Sequence, residues 1–234
     1  MLSVSVDAIG SKHDEIRNHK GLYDKVISNI ELFNVKRKEK KSPMLDIKTC
    51  ILENNLDDLP RLYKLAQELK AQFFSLTFIR NHSLRQNSIL YEDFSADFYE
   101  KKYPIELYFD MEHFKEIYKE LESLSKKSST VLRYAPRFNH SGDIKKIERF
   151  FSLKDKPVSD IYKPCRIPMT SIYITPAGDI YPCLSYKIAN LRDIKLKDAI
   201  NIPKFKCFRK NLYHSKVFNA CQMCCDAVPK SLHE

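Results

Sequence analysis

Thiol groups in the C-terminal third of the chain are the side chains best suited to chemistry. Six of the seven cysteines follow Tyr162. Cys165 and Cys183 flank a hairpin pattern whose turn reads Pro-Ala-Gly-Asp, and Cys221 and Cys224 form a CxxC pair. Four thiolates in two pairs supply the ligands that a tetrahedral zinc ion or a cubane iron-sulfur cluster needs. The spacing predicts a metal site and leaves zinc and iron-sulfur open.

The remaining cysteines are weaker candidates for metal ligands. Cys225 directly follows Cys224, and because adjacent side chains diverge we interpret it as a spare thiol. Cys207 stands alone in a segment rich in Lys and Phe, where it could be a core residue, a spare or an alternative ligand. Cys50 falls in a predicted strand of the N-terminal region, and we expect it to serve in packing.

Composition restricts the class of protein and the compartment. The 234 residues are 43% hydrophobic, which favours a folded core over disorder, and carry a formal net charge of +10. This charge could attract nucleic acid or an acidic substrate, but we favour a solvated surface. The sequence shows neither a secretory signal nor an apolar run of membrane-spanning length. We therefore expect a cytoplasmic protein whose thiols serve metals or catalysis rather than disulfides.

Strand and helix patterns alternate in the first third of the chain. Strands with a period of two are predicted near residues 2–7, 45–48 and 74–78, and amphipathic helices are predicted between them. Such βαβ units imply an α/β protein with a parallel sheet. Each strand also keeps one polar face, with the residues Ser3, Ser5, Asp7, Asp46, Lys48, Ser75 and Thr77. These faces predict a cleft for a polar ligand; the alternative is a set of mildly polar edge strands.

The patterns divide the chain into three regions: 1–80, 81–160 and 161–234. Residues 80–109 show no clean period, and Asp110 can cap a helix that carries Met111, Phe114, Ile117, Leu121 and Leu124. Residues 125–160 are polar and basic, so we interpret them as a connection between two domains. The last region is expected to form a small cysteine-rich domain of hairpin and helix.

The C-terminal residues resemble a known family. Residues 163–193, with Cys165, Gly178, Cys183 and the run Asn190-Leu191-Arg192-Asp193, are similar to the start of the SPASM/twitch region of radical S-adenosylmethionine enzymes. The chain ends with a single CxxC and resembles the shorter twitch form. The resemblance implies one auxiliary [4Fe-4S] cluster, held by Cys165, Cys183, Cys221 and Cys224.

The N-terminal residues resemble the same family independently. The segment from Ser3 to Gly21, with Ser-Val-Asp followed by His-Asp and Arg, is similar to the fourth barrel strand and the loop after it. The resemblance implies the C-terminal half of a (β/α) barrel, with Ser5 and Arg17 contacting S-adenosylmethionine. An arginine fork suits the carboxylate of that cofactor.

The family's defining CxxxCxxC loop does not occur in these 234 residues. The resemblance therefore implies the C-terminal portion of an enzyme that modifies a substrate by 5′-deoxyadenosyl radical chemistry, with a peptide as one candidate substrate. We expect this chain to be inactive alone and to need the N-terminal half of the barrel, in the same or a separate chain. The alternatives are a non-catalytic module that binds zinc or iron-sulfur for interaction with a partner and, ranked lower, a nucleic-acid binder.

Overall fold

The computed structural model describes residues 1–37, 43–79, 108–136, 138, 144–153, 156–183, 186–221, 224 and 226–230. The chain divides into two compact units. Described residues of Met1–Ile79 and Leu107–Glu148 form the first unit, and those of Arg149–Glu234 belong to the second. In this described part, every helix is too short or too polar to cross a membrane.

The first unit alternates strands with helices. Its strands are β1 (Leu2–Ser5), β2 (Leu45–Ile51), β3 (Phe73–Phe78) and β4 (Val131–Ala135). Its helices are α1 (Ser11–Arg17), α2 (Leu22–Arg37), a 3-10 helix (Glu53–Asp58), α3 (Leu59–Glu68) and α4 (Met111–Ser125). Helix α5 (Ile144–Ser152) contains the border between the units.

The four strands form one parallel sheet in the order β1-β2-β3-β4. This confirms the α/β class and the three strands expected from the period of two. Strand β4 is an addition, because it lies in residues 125–160, which the sequence pattern indicated as a connection. The segment 80–107 lies outside the described residues.

One face of the sheet is apolar and covered by helices. Ile47, Phe74 and Leu132 are buried on this face, and the ring of Phe74 meets the ring of Tyr63 from α3 edge to face, with centroids 5.6 Å apart. The Tyr63 hydroxyl donates a hydrogen bond to the carbonyl oxygen of Thr130 at 2.5 Å. The alternation of side chains along the strands thus places the core between the sheet and α3 and α4.

The opposite face carries the polar side chains that the sequence predicted. The register pairs Ser3 with Asp46, Ser5 with Lys48, and Lys48 with Ser75. Ser5 and Lys48 are exposed and Ser75 is half-buried. The polar residues therefore share one accessible face, as the period of two requires.

Two helices of the first unit begin after an aspartate, and only one of these side chains caps its helix. Asp110 caps α4 as expected, because its side chain accepts a hydrogen bond from the backbone N–H of His113 at 2.7 Å. Asp58 occupies the N-cap position before α3, but its side chain accepts no capping hydrogen bond. It instead forms an ion pair with Lys12 at 2.7 Å.

The second unit is built from short elements. It contains α6 (Val158–Ile161), α7 (Ile167–Thr170), β5 (Tyr173–Ile174), β6 (Asp179–Tyr181), β7 (Ala189–Asn190), α8 (Leu196–Ala199), α9 (Pro203–Ser215) and a 3-10 helix (Asn219–Cys221). The three strands form an antiparallel sheet in the order β5-β6-β7.

The core of the second unit is small and aromatic. Phe208 of α9 stacks on Tyr186, with ring centroids 5.5 Å apart, and meets Phe218 edge to face at the same separation. Ile180 of β6 and Leu212 of α9 belong to the same buried cluster. A core of this size contributes little folding free energy, so a bound metal would add substantially to the stability of the unit.

Candidate metal and cofactor site

Three of the four predicted metal ligands converge on the core of the second unit. Cys165 precedes α7, Cys183 follows β6, and Cys221 ends the 3-10 helix Asn219–Cys221. All three side chains are partly buried and pack against the aromatic cluster around Phe208. Residues up to 56 positions apart in the chain thus share one hydrophobic environment.

Backbone pairing brings the CxxC segment to Cys165. The N–H of Lys163 donates to the carbonyl oxygen of Val228 at 2.9 Å, and the N–H of Lys230 donates to the carbonyl oxygen of Ile161 at 2.8 Å. Between them, Tyr162 and Pro229 form an antiparallel bridge. The chain after Cys224 is therefore held against the residues that lead into Cys165.

Backbone hydrogen bonds anchor Cys165, Cys221 and Cys224. The N–H of Cys165 donates to the carbonyl oxygen of Lys216 at 2.9 Å, and that of Cys221 donates to the carbonyl oxygen of Phe218 at 2.9 Å. The N–H of Cys224 donates to the carbonyl oxygen of Cys221 at 3.0 Å, which closes the CxxC turn. Lys216 has a φ of 65° at the end of α9, a conformation that costs a non-glycine residue free energy.

Burial and neighbouring thiols both oppose ionisation at this site. Burial raises the pKa of Cys221, and the nearby thiols of Cys183 and Cys165 raise it further. Burial also raises the pKa of Cys165, against a hydrogen bond from the backbone N–H of Ile167 to its sulfur. Clustered thiols in an apolar site resist ionisation unless a cation compensates them, which is what a bound metal does.

The chemistry of this donor set fits a thiolate-bound metal or cluster. The thiols of Cys183 and Cys165 act on that of Cys221, and backbone N–H groups donate to the sulfurs of Cys165 and Cys221; hydrogen bonds of this kind tune cluster sulfurs. Across the described ranges, no three His, Cys, Asp or Glu side chains form a group that could hold a metal ion. The full ligand set of Cys165, Cys183, Cys221 and Cys224 stays a prediction.

The other cysteines lie in different environments. Cys207 is exposed on α9, and its sulfur accepts a hydrogen bond from Asn211 at 3.6 Å. Cys50 lies in β2 of the first unit. Cys225 is outside the described residues. The exposure of Cys207 contrasts with the partial burial of the three converging thiols.

The hairpin that separates Cys165 from Cys183 is fixed by Asn190. Its amide donates to the carboxylate of Asp179 at 2.7 Å and to the carbonyl oxygen of Ala177 at 3.1 Å, and its side-chain oxygen accepts from the N–H of Arg192 at 2.8 Å. Gly178 adopts a φ of 88°, and a Cβ there would stand 3.1 Å from the Asn190 side-chain oxygen. These contacts explain why Gly178 and Asn190 occur together.

Replacing Asn190 by Ala is expected to lower the free energy of unfolding of the second unit by about 1–2 kcal/mol, because it removes three hydrogen bonds at a partly exposed site. Urea unfolding followed by circular dichroism measures the change. Asn201→Ala is the matched control, since Asn201 is exposed. Equal losses in the two variants would contradict the role of Asn190.

In the first unit, Arg17 forms an ion pair with a buried aspartate. Its Nη2 lies 2.5 Å from Oδ2 of Asp7, whose side chain is 2% exposed, whereas that of Arg17 is 37% exposed. Oδ1 of Asp7 accepts a hydrogen bond from the N–H of Cys50 at 2.8 Å. Ser5 is exposed on the polar face of the sheet. The proposed contact of Ser5 and Arg17 with S-adenosylmethionine stays a prediction.

His13 completes this network, and sequence reasoning did not assign it a role. The N–H of Asp7 donates to Nδ1 of His13 at 3.1 Å, so the ring proton lies on Nε2. In the described part of the chain, Nε2 is buried without a hydrogen-bond partner. The signal available in the sequence was the position of Asp7, a polar residue after an alternating strand and six residues before a histidine.

Burial lowers the pKa of His13, against the raising effect of Asp7. The unfolded chain therefore binds a proton more readily than the folded one, and His13 stabilises the fold fully only above its ordinary pKa of 6.5. We expect stability to fall as the pH decreases below that value. Urea unfolding at pH 7.5 and 5.5 should show a smaller pH effect for His13→Asn, whose side-chain oxygen still accepts from Asp7. An unchanged pH effect would contradict this assignment.

Comparisons with known proteins agree with the resemblance. Residues 165–225 match the SPASM family, described as an iron-sulfur cluster-binding domain. No curated protein matches the chain. The structure is similar to that of Streptococcus suis SuiB bound to S-adenosylmethionine, with 16% identity, a TM-score of 0.50, and coverage of 95% of this chain and 48% of SuiB.

A second structure, of SuiB bound to the precursor peptide SuiA, matches with 15% identity and a TM-score of 0.49 over the same shares of the two chains. The chain spans about half the length of SuiB. The SPASM match and the likeness of fold confirm the resemblance to radical S-adenosylmethionine enzymes with a C-terminal SPASM-type domain.

Proposed function

We propose that this chain is the portion of a radical S-adenosylmethionine enzyme that carries an auxiliary [4Fe-4S] cluster. The observation that carries the proposal is the convergence of Cys165, Cys183 and Cys221 within the segment that matches the SPASM family. Cys224 completes the ligand set, and its backbone is tied to Cys221. These residues would hold the cluster, which would bind the substrate or accept an electron from it.

The first unit contributes part of the barrel in this proposal. Its parallel sheet presents a polar face, and Asp7, just after β1, contacts His13 and Arg17 of α1 and the N–H of Cys50 in β2. Ser5 and Arg17 contact S-adenosylmethionine there. Arg17 has two guanidinium edges, so it can keep its pair with Asp7 and still offer N–H groups to a carboxylate.

In the complete enzyme, S-adenosylmethionine would supply a 5′-deoxyadenosyl radical when one electron, delivered by the cluster of the CxxxCxxC segment, cleaves it to that radical and methionine, and the radical would take hydrogen from a substrate. A peptide is the substrate class that the resemblance favours. In that scheme, the sheet face of the first unit positions the ligands, and the second unit supplies the auxiliary cluster.

Anaerobic purification followed by iron, sulfide and zinc analysis tests the metal assignment. We expect about four iron and four sulfide per chain after reconstitution. Stoichiometric zinc without sulfide, in protein never exposed to air, would overturn the cluster and favour a non-catalytic zinc module. Reduction with dithionite and S-adenosylmethionine should give no 5′-deoxyadenosine from these 234 residues alone, because they lack CxxxCxxC.

Supplying the N-terminal half of a related barrel, in the same chain or as a separate chain, tests the proposal that this chain contributes part of the barrel. Product formation should then depend on the added CxxxCxxC segment. If these 234 residues formed 5′-deoxyadenosine catalytically without that segment, the proposal that radical formation needs the CxxxCxxC segment would be contradicted.

A further inference from the structure

The guanidinium of Arg209 joins three helices of the second unit. Arg209 lies on α9, and its Nε donates to the carbonyl oxygen of Pro168 in α7 at 3.0 Å. Its Nη1 donates to the carbonyl oxygen of Ile200, the residue after α8, at 2.9 Å. The guanidinium carbon also lies 3.7 Å from the centre of the Phe205 ring. Two hydrogen bonds and one stacking contact therefore fix the orientation of this half-buried side chain.

The contact with Pro168 stabilises the position of α7. This helix has only four residues, and the last four carbonyl groups of any helix find no partner within it. Pro168 is buried, so its carbonyl oxygen needs a donor from another element, and Arg209 supplies one. Burial lowers the pKa of Arg209, as expected for a cation that has exchanged part of its hydration for these carbonyl groups.

Helix α7 in turn carries a donor to a predicted cluster ligand. It begins two residues after Cys165, and the backbone N–H of Ile167 donates to the sulfur of Cys165. The N–H of Cys165 is bound to the carbonyl oxygen of Lys216, which directly follows α9. Helix α9 thus holds Cys165 in two ways: Lys216 binds its backbone, and Arg209 binds the helix that donates to its sulfur.

We propose that Arg209 is a positioning residue for the auxiliary cluster, which binds the carbonyl of Pro168 and thereby holds the N–H of Ile167 on the sulfur of Cys165. The inference rests on the proposed function, since Cys165 is a cluster ligand only there. An N–H group that donates to a ligating sulfur stabilises the more negative, reduced state and raises the reduction potential. Arg209 exerts this effect through the backbone of α7.

Potentiometric titration of the anaerobically reconstituted full chain, followed by electron paramagnetic resonance, tests the effect on the cluster. In Arg209→Met, we expect the ratio of reduced to oxidised cluster at a fixed potential to fall about tenfold, equivalent to about 59 mV for one electron. Arg209→Lys keeps the charge but lacks the fork that binds two carbonyls, so it should recover less than half of this shift. Lys210→Met removes the same charge from the next, exposed residue and should leave the potential unchanged.

Hydrogen exchange of the Ile167 amide tests the positioning directly and needs no cluster. We would follow it on the full chain as purified, by mass spectrometry with residue-resolved fragmentation. Arg209→Met should accelerate exchange at Ile167 at least tenfold, because its hydrogen bond to Cys165 is no longer held. The N–H of Ile188, which donates to the carbonyl oxygen of Ile180 at 2.8 Å in the same unit, is the internal control and should keep its rate.

Three results would each overturn this inference. They are an unshifted potential in Arg209→Met, full recovery of the potential in Arg209→Lys, and equal acceleration of exchange at Ile167 and Ile188, which would indicate general loosening. Iron and sulfide content of the same samples reports separately on the proposed function. Wild-type protein without iron after reconstitution refutes the cluster, whereas exchange at Ile167 still decides whether Arg209 holds that N–H.

Discussion

Alanine at Cys165, Cys183, Cys221 or Cys224 is expected to reduce iron from about four to below about one per chain after anaerobic reconstitution. Each replacement removes a thiolate from a ligand set that has no substitute among the partly buried side chains of the aromatic cluster. The second unit should also unfold at lower urea concentration, because its small core loses the free energy of cluster binding. Iron and sulfide analysis with circular dichroism measures both effects.

Matched cysteine variants decide whether the effect is specific. Cys207→Ala removes an exposed thiol and Cys50→Ala removes one from the first unit, so both should keep nearly full iron content. The same outcome is expected for Cys225→Ala. Iron loss in Cys207→Ala as large as in Cys221→Ala would place Cys207 among the ligands and overturn the assigned set.

Arg17→Met should lower the free energy of unfolding of the first unit by about 3 kcal/mol, because it leaves the carboxylate of Asp7 buried without its cation. Methionine keeps an aliphatic stem, so the loss of packing is small. Arg61→Met is the matched control. Arg61 is 67% exposed and stands 3.7 Å from Asp58, which keeps its closer pair with Lys12. We expect the control to lose less than about 1 kcal/mol.

Urea unfolding of both variants at pH 7.5 measures this difference. Similar small losses in the two arginine variants would contradict a structural role for the Arg17–Asp7 pair. The role of Arg17 toward S-adenosylmethionine is separate, and equilibrium binding of the cofactor to Arg17→Lys in the complete enzyme addresses it. Lysine restores the charge to Asp7 but lacks the second guanidinium edge.

The alternation of apolar and polar residues predicts the strands β1, β2 and β3 but does not predict β4. In β1, β2 and β3, side chains alternate between apolar and polar, and the register confirms the shared polar face. Strand β4 reads Val-Leu-Arg-Tyr-Ala within a polar, basic stretch, so its short apolar run gives a weak signal. Pairing with β3 and burial of Leu132 and Tyr134 decide its conformation.

The candidate sites also depend partly on the local sequence and partly on the tertiary structure. Residue types and spacing within the sequence determined which thiols are metal candidates, the hairpin between Cys165 and Cys183, and the polar faces of the strands, because each depends on neighbours a few residues apart. Tertiary structure alone decided that Cys165, Cys183 and Cys221 pack against the same aromatic cluster and that Arg17 pairs with Asp7. These contacts join segments that lie far apart in the sequence, so no local periodicity encodes them.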